Sequence, residues 1–382
     1  MKSQISNPVY ILTGARTPFA AWASGKTGAG QAGGALKPYD PFDLGAAALK
    51  GALEKSGLEP QRLDRVVFGN MYHVGAHACY GGRYVALRAG VPPEIPALTT
   101  NMACGAGLHA VLEAAQDVAG GEAALIAAAG ADNISLVPRR EIFVPSFKDL
   151  GCGRAISKTA DELAGEFNIS REAQDQWALR SHARAGLARR QGRLGDEITP
   201  VGATTQDDNM LDEPNLNYFA QSRPFGDIGS VTPANTHGLV DGGSALILAD
   251  EKTTHAWGKK PLGRILAGAF AATTPERMAW ASVPAIRAAL KRAGLTIEQI
   301  DLFEINETFA AQTLIDIREL DIPEDKVNVN GGSIALGHPF GGTGGRLVLG
   351  LLLELGRRGL KRGAASICVG GGQGVAIVVE RA

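Results

Sequence analysis

The sequence predicts an α/β protein built from two similar halves, with a segment of different character inserted between them. Three observations lead there. Helix-like apolar runs alternate with short strand-like runs, as at 41–56 followed by 65–69, which suits helices layered on a sheet. A repeat links ALEKSGLEPQRLD at 52–64 with ALKRAGLTIEQID at 289–301. Gly57 and Gly294, Asp64 and Asp301, and Gly107 and Gly344 each stand 237 positions apart. Finally, 138–222 departs from both halves, with Arg139, Arg140, Lys148, Arg154 and Lys158 close together. The expected division is 1–137 plus 223–252 for the first half, 138–222 for the insert and 253–382 for the second half.

In chain order, 8–14 reads as a buried strand and Arg16-Thr17-Pro18-Phe19 as the turn after it. Segment 23–38 reads as a flexible loop. Its Gly25-Lys26-Thr27 resembles the end of a phosphate-binding loop, but Ala20 stands where the first glycine is required and no helix-like run follows directly. Pro41 to Ser56 reads as an amphipathic helix stopped by Gly57, and 65–69 as a short strand. His73, His77 and Cys79 offer metal-ligand chemistry, but a loop at a subunit contact or near the site is the simpler reading. In the insert, 157–166 and 170–192 read as helices, the second capped by Ser170. Arg180, Arg184, Arg189 and Arg190 read as solvated helix faces. Residues 246–249 form the next strand. The glycine-rich stretch 330–345 reads as a tight loop, and Arg346 onward as a buried helix. A short strand runs into Cys368.

Composition narrows the class. The 382 residues exceed a single core, 45% are hydrophobic and 20% charged, and the net charge is −1. That balance points away from nucleic acid or an anionic membrane as the main partner. Four cysteines without CxxC pairs argue against a zinc ribbon or disulfide framework. The start, MKSQISNPVYILTGARTPF, lacks a basic-then-apolar leader, and no apolar run approaches the roughly 20 residues of a membrane span. The expectation is a cytoplasmic, reducing environment.

Chemistry concentrates at a few residues. His338 sits among small residues, where a ligand can lie against the backbone, and histidine suits acid/base work near neutral pH. Cys104 lies in Asn101-Met-Ala-Cys-Gly-Ala-Gly107 before an apolar helix, a setting expected to lower its pKa. Cys368 precedes Val-Gly-Gly-Gly-Gln-Gly374. Cys104, His338 and Cys368 are expected to meet, with Asn306 of Asn-Glu-Thr-Phe-Ala310 beside them. The repeat pairs Asn101 with His338, so both loops should occupy equivalent places and face each other across a pseudo-twofold axis. Cys79 and Cys152 read as structural, and His109, His182 and His255 as helix or surface positions.

These four segments, N-x-x-C-x-x-G, N-E-x-F-A, G-G-x-[IA]-A-x-G-H-P-x-G and C-x-G-G-G, stand in the order found in thiolases, and the chain resembles that family over its whole length. The resemblance implies the thiolase fold, two duplicated α/β halves in an αβαβα layering with an inserted loop domain. It also implies acyl transfer on 3-ketoacyl-CoA or its reverse, with Cys104 as nucleophile and His338 as its base. Cys368 would be the second acid/base. Asn306 would fix a water that joins His338 in holding the enolate oxygen. Backbone N–H groups of Cys104 and Gly370 would hold the thioester oxyanion. Acyl-CoA, acetyl-CoA and coenzyme A are then substrates, no metal or bound cofactor is needed, and a homodimer or homotetramer is expected. Arg223, His237 and Ser244 are the coenzyme A-binding candidates, and basic residues of the insert are expected to face its phosphates. Departures from the family pattern are Ala106 and His237, each in place of a serine, and Ile156 in place of a methionine that lines the acyl pocket. Two other readings remain. A ketoacyl synthase would use a second histidine where Asn306 stands, and a non-catalytic scaffold subunit would leave Cys104 unmodified.

Overall fold

The computed structural model describes residues 7–22, 34–143, 147–226 and 229–382. Most of the expected 23–38 loop, including Gly25-Lys26-Thr27, lies outside them. The first half contributes β1 (Val9–Arg16), α1 (Pro41–Ser56), β2 (Arg65–Gly69), α2 (Gly81–Arg88), β3 (Ala97–Thr100), α3 (Ala106–Gly120) and β4 (Leu125–Asp132). The insert carries α4 (Ile156–Glu166) and α5 (Arg171–Arg190). The chain returns through β5 (Val240–Asp250) and enters the second half. That half holds β6 (Gly263–Ala272), α6 (Ser282–Ala293), β7 (Leu302–Ile305), α7 (Ala310–Leu320), α8 (Phe340–Arg358), β8 (Arg362–Val369) and β9 (Gln373–Arg381).

The strands run β7-β8-β9-β6-β1-β5-β4-β2-β3, and Ala20–Ala21 adds a short strand against β5. The order is palindromic in the repeat. Strand β4 maps onto β8 residue for residue at the 237-position offset, and β2 maps onto β7. The halves join where β1 pairs antiparallel with β6, Val9 opposite Ile265.

Side-chain alternation makes the layers. Ile126 and Ala128 of β4, with Ala365 and Ile367 of β8, face one shared core with α3 and α8. Ala127 and Ala129 face the other way, onto α1 and α2, while Ala364 faces α6 and α7. The result is the αβαβα layering. The repeat extends to hydrogen bonds. Gly57 and Gly294 end α1 and α6 with φ of 70° and 68°. Asp64 accepts from the N–H groups of Ala124 and Leu125, and Asp301 from those of Lys361 and Arg362.

The two largest differences from the sequence reading both involve glycines. Helix α8 begins at Phe340, not Arg346, so Gly341, Gly342, Gly344 and Gly345 lie inside it. Strand β5 begins at Val240 and runs through Gly242 and Gly243. Glycine lowers helix and strand propensity by roughly 1 kcal/mol each, but here close packing outweighs it. A Cβ on Gly107 would strike the Gly341 carbonyl, and one on Gly344 would strike the Leu108 amide. The first turns of α3 and α8 therefore cross with backbones in contact.

The insert is tied to both halves. Arg16, expected in a turn, is the last residue of β1 and fully buried. Its guanidinium bonds Glu197 at 2.7 Å and both oxygens of Asp207 at 2.6 and 2.9 Å. Of the four arginines of α5 expected on solvated faces, Arg190 is exposed, but the other three have partners. Arg180 and Arg189 pair with Glu324 and Asp212, and Arg184 donates to the Val327 carbonyl.

Candidate active site

The crossing of α3 and α8 brings two loops together. Cys104 sits in a single 3₁₀ turn, Ala103–Gly105, that runs directly into α3. Ala103 has a φ of 45°, rare for a residue with a Cβ, and such strain concentrates at functional sites. Asn101 holds the turn: its Oδ1 accepts the Ala103 N–H at 2.8 Å and its Nδ2 donates to the Met71 carbonyl at 3.1 Å. The Cys104 sulfur is faced by its own N–H and by that of Gly370. A Cβ on Gly370 would meet nothing within 4 Å, because that side is open space. The open space is a cavity of about 200 Å³ with Cys104 and Gly370 in its wall. Met71, Leu150, Ile156 and Met278 make the rest of the lining mostly apolar. Asp149 also borders it, and its carboxylate accepts from Gly151 and Gly371, fastening the insert to the glycine loop after Cys368.

The helix N-terminus does not win at Cys104. Burial pushes its thiol up to about 11, against the two N–H groups that pull it down, and Asp132 adds to the rise. The residue keeps some access through the cavity, which tempers that shift. The resting group is a thiol.

His338 lies two residues before α8, fully buried. Its Nδ1 is 2.6 Å from Thr343 Oγ1, and that hydroxyl donates its single hydrogen to the Pro339 carbonyl at 2.9 Å. The arrangement that satisfies both contacts has Nδ1 donating to Thr343 Oγ1, which places the lone pair on Nε2. Nε2 has no hydrogen-bond partner among the described residues, Cys104 included. Burial, helped by the neighbouring His237, holds the imidazole well below its usual 6.5. His338 is thus a neutral base with a free acceptor. Its ring meets Phe340 at 4.8 Å and His237 at 5.1 Å, both edge-on. Cys104 packs against the same cluster, which includes Phe340 and Tyr72.

Cys368 is buried near the end of β8, close enough to Cys104 for their charges to interact. Burial raises its thiol further than that of Cys104. Its sulfur is 3.2 Å from Thr308 Oγ1. Asn306, just after β7, accepts from Ser333 Oγ at 2.6 Å and donates from Nδ2 to Thr308 Oγ1 at 3.1 Å. One Nδ2 hydrogen remains for another acceptor.

Of the coenzyme A-binding candidates, His237 reaches the site, stacked on Phe147 at 6.1 Å. Arg223 is exposed on the surface. Ser244 lies inside β5, buried, and donates to the Gly342 carbonyl at 2.7 Å. Its hydroxyl fastens a strand to α8 and does not reach the cavity. Nor do His73, His77 and Cys79 gather. All three are exposed, and no group of three metal-ligating side chains stands together among the described residues.

Sequence reasoning missed Thr308, Met71, Met278, Asp149 and Asp132. Asp132 ends β4, buried, and accepts from Asn70 Nδ2, Met71 N, Tyr72 N and Gly341 N. Burial pushes its carboxyl up to about 7 against those donors. A charged residue closing the apolar run LIAAAGA was the available signal.

Comparison with known proteins gives the family. The model of the thiolase N-terminal domain matches residues 9–252, and that of the thiolase C-terminal domain matches 259–381. The chain is 35% identical to mitochondrial 3-ketoacyl-CoA thiolase of Homo sapiens, over 97% of this chain and 98% of the relative. It is 37% identical to acetyl-CoA acetyltransferase of Chromobacterium violaceum, over 94% and 98%. The crystal structure of human mitochondrial 3-ketoacyl-CoA thiolase in complex with CoA superposes with a TM-score of 0.93 at 36% identity, covering 99% of each chain. With both domain models matched and relatives aligned along nearly their full length, the chain belongs to the thiolase family.

Proposed function

We propose that the chain is an acyl-CoA C-acyltransferase that cleaves 3-ketoacyl-CoA with coenzyme A, or runs the reverse condensation, through an acyl-Cys104 intermediate. The observation that carries this is Cys104 and Gly370 in the wall of one apolar cavity, with the buried thiol of Cys368 close to Cys104 and the neutral base His338 against the same aromatic cluster.

In cleavage, His338 Nε2 takes the Cys104 proton as the sulfur attacks the C3 carbonyl. Thiol and imidazole are both uncharged at rest, so the transfer occurs as the substrate arrives. The oxyanion forms beside the N–H groups of Cys104 and Gly370, where loss of one such donor costs about 3–4 kcal/mol. The C2–C3 bond breaks, and the departing acetyl-CoA enolate takes a proton from Cys368. In the second half, a coenzyme A thiol gives its proton to the Cys368 thiolate and attacks the thioester. Cys104 leaves as thiolate and recovers its proton from His338. Asn306, through its remaining N–H, holds a water for the enolate oxygen. Segment 138–222 acts as cover, and the apolar lining of Met71, Leu150, Ile156 and Met278 suits an apolar acyl chain. Coenzyme A enters as a substrate, with no resident cofactor. We further infer a reducing, cytoplasmic setting, in keeping with two working thiols, and a homodimer or homotetramer.

The test is thiolysis of short, long, branched and aromatic 3-ketoacyl-CoAs by purified protein, with Cys104→Ala as control. Turnover lost in the variant, with a mass increase on Cys104 in the parent, is the expected result. No turnover and no acylation on any chain would overturn it.

A further inference from the structure

We propose that Thr308 is a positioning residue for Cys368, its hydroxyl holding the sulfur ready to exchange a proton with the substrate carbon. The proposal rests on the thiolase reading of the site.

Asn306 Nδ2 donates to Thr308 Oγ1 at 3.1 Å, and an amide N–H cannot accept, so the hydroxyl's own hydrogen is not spent on Asn306. Cys368 Sγ lies 3.2 Å from the same oxygen, within reach of that hydrogen, and a thiolate there could only accept it. The backbone around Thr308 is fixed as well. Its N–H donates to Gln312 Oε1 at 3.0 Å, Gln312 Nε2 donates to Asp316 at 2.5 Å, and its carbonyl accepts the His237 N–H at 3.3 Å. Thr308 is 1% exposed, so water does not compete for the bond.

The surroundings show why such a donor matters. Cys368 packs among Met278, Phe309, Ala311 and Ile315, which offer a thiolate no hydrogen bond. Burial is the main cause that raises the Cys368 thiol, and the titratable groups facing it, Asp316 from α7 and Cys104 from the turn before α3, act in the same direction. Thr308 is the side-chain hydrogen bond that acts the other way. In cleavage, the Cys368 S–H bond breaks, its proton forms the new C–H bond on the enolate, and the electron pair stays on sulfur facing the Thr308 hydroxyl. In condensation, the thiolate takes a proton from C2 of acetyl-CoA and the same bond weakens.

Three forms decide it: parent, Thr308→Val, which keeps shape but removes the hydroxyl, and Thr308→Ser, which restores it. Thr308→Val should lower kcat by about 10- to 100-fold, as expected for a hydrogen bond to a charged group, with KM nearly unchanged. The rise of condensation rate with pH should move to higher pH. Thr308→Ser should recover the parent kcat and profile, and alkylation of Cys104 should proceed at the parent rate in all three. A parent-like kcat and pH profile in Thr308→Val would overturn this proposal alone. So would a loss that Ser does not restore, or one matched by slower Cys104 alkylation, since a packing defect would produce either. A parent protein without turnover would overturn the thiolase reading along with it.

Discussion

The carboxylate of Asp132, at the end of a first-half strand, accepts the backbone N–H of Gly341, in the first turn of a second-half helix, at 2.6 Å. Asp132 thereby caps α8 from the other half, three residues past His338. The same carboxylate accepts the Met71 N–H, the Met71 carbonyl accepts Asn101, and Asn101 holds Ala103 beside Cys104. One side chain therefore braces both loops of the site. Asp132→Asn keeps the shape but substitutes a donor among four donors. Unmet buried groups cost roughly 1–3 kcal/mol each, and a shift of about 1 Å in a reacting group costs on the order of 10² in rate. The expected outcome is a drop of about 2 kcal/mol in stability by urea unfolding and a kcat about 100-fold lower. Unchanged kcat with reduced stability would confine Asp132 to folding.

The Cys104 thiol gives a direct pH test. Because burial raises it to about 11, the thiolate fraction grows about tenfold per pH unit below that value. Alkylation of Cys104 by iodoacetamide should rise continuously from about pH 7 to about pH 10. A thiol near the ordinary ~8.5 would level off within that range. A plateau near neutral pH would mean that the helix end and the two N–H groups outweigh burial after all.

What the sequence displayed and what it hid divide by range of interaction. Gly57 and Gly294, each closing a helix in the left-handed region, were legible because the signal is local: a glycine after an amphipathic run. The repeat was legible because each half folds by the same local rules, and it placed Cys104 and His338 at equivalent ends of α3 and α8. The start of α8 was not legible. Read locally, Gly341 to Gly345 signal a turn, and only the backbone of α3 across the crossing makes them helical. Thr308 was hidden for the same kind of reason. Nothing near position 308 says that a sulfur 60 residues on will lie within hydrogen-bond reach. The thiol's rise was also misjudged, since the helix end is visible in sequence and the depth of burial is not.

That crossing makes a further prediction. A methyl group on Gly344 would collide with the Leu108 amide and the Gly107 carbonyl carbon, backbone atoms that cannot rotate away. Overpacking of this kind costs typically 1–3 kcal/mol, and separating α3 from α8 moves the ends that carry Cys104 and His338. Gly344→Ala should lower the thermal midpoint and reduce turnover together. Gly165→Ala is the control, because a Cβ there, in α4, meets nothing within 4 Å and should be neutral or slightly stabilising. Equal behaviour of the two variants would show that the crossing has room the geometry denies.

His237 tests how the base is kept neutral. Burial is the main reason His338 stays well below 6.5, and His237, edge-on at 5.1 Å, is the second. Both disfavour the imidazolium, so the unfolded chain binds a proton at His338 more readily than the folded one. Stability from this group is therefore present above 6.5 and is lost as pH falls toward the depressed folded value. His237→Ser removes the neighbouring imidazole and opens the site to water, which relieves both causes. The His338 pKa, followed by NMR on histidine-labelled protein, should rise toward 6.5, and the acid loss of thiolysis should move to higher pH with it. If the His338 resonance keeps its parent midpoint in His237→Ser, then the depth of the α8 loop alone sets its basicity, and His237 acts on the substrate side of the site instead.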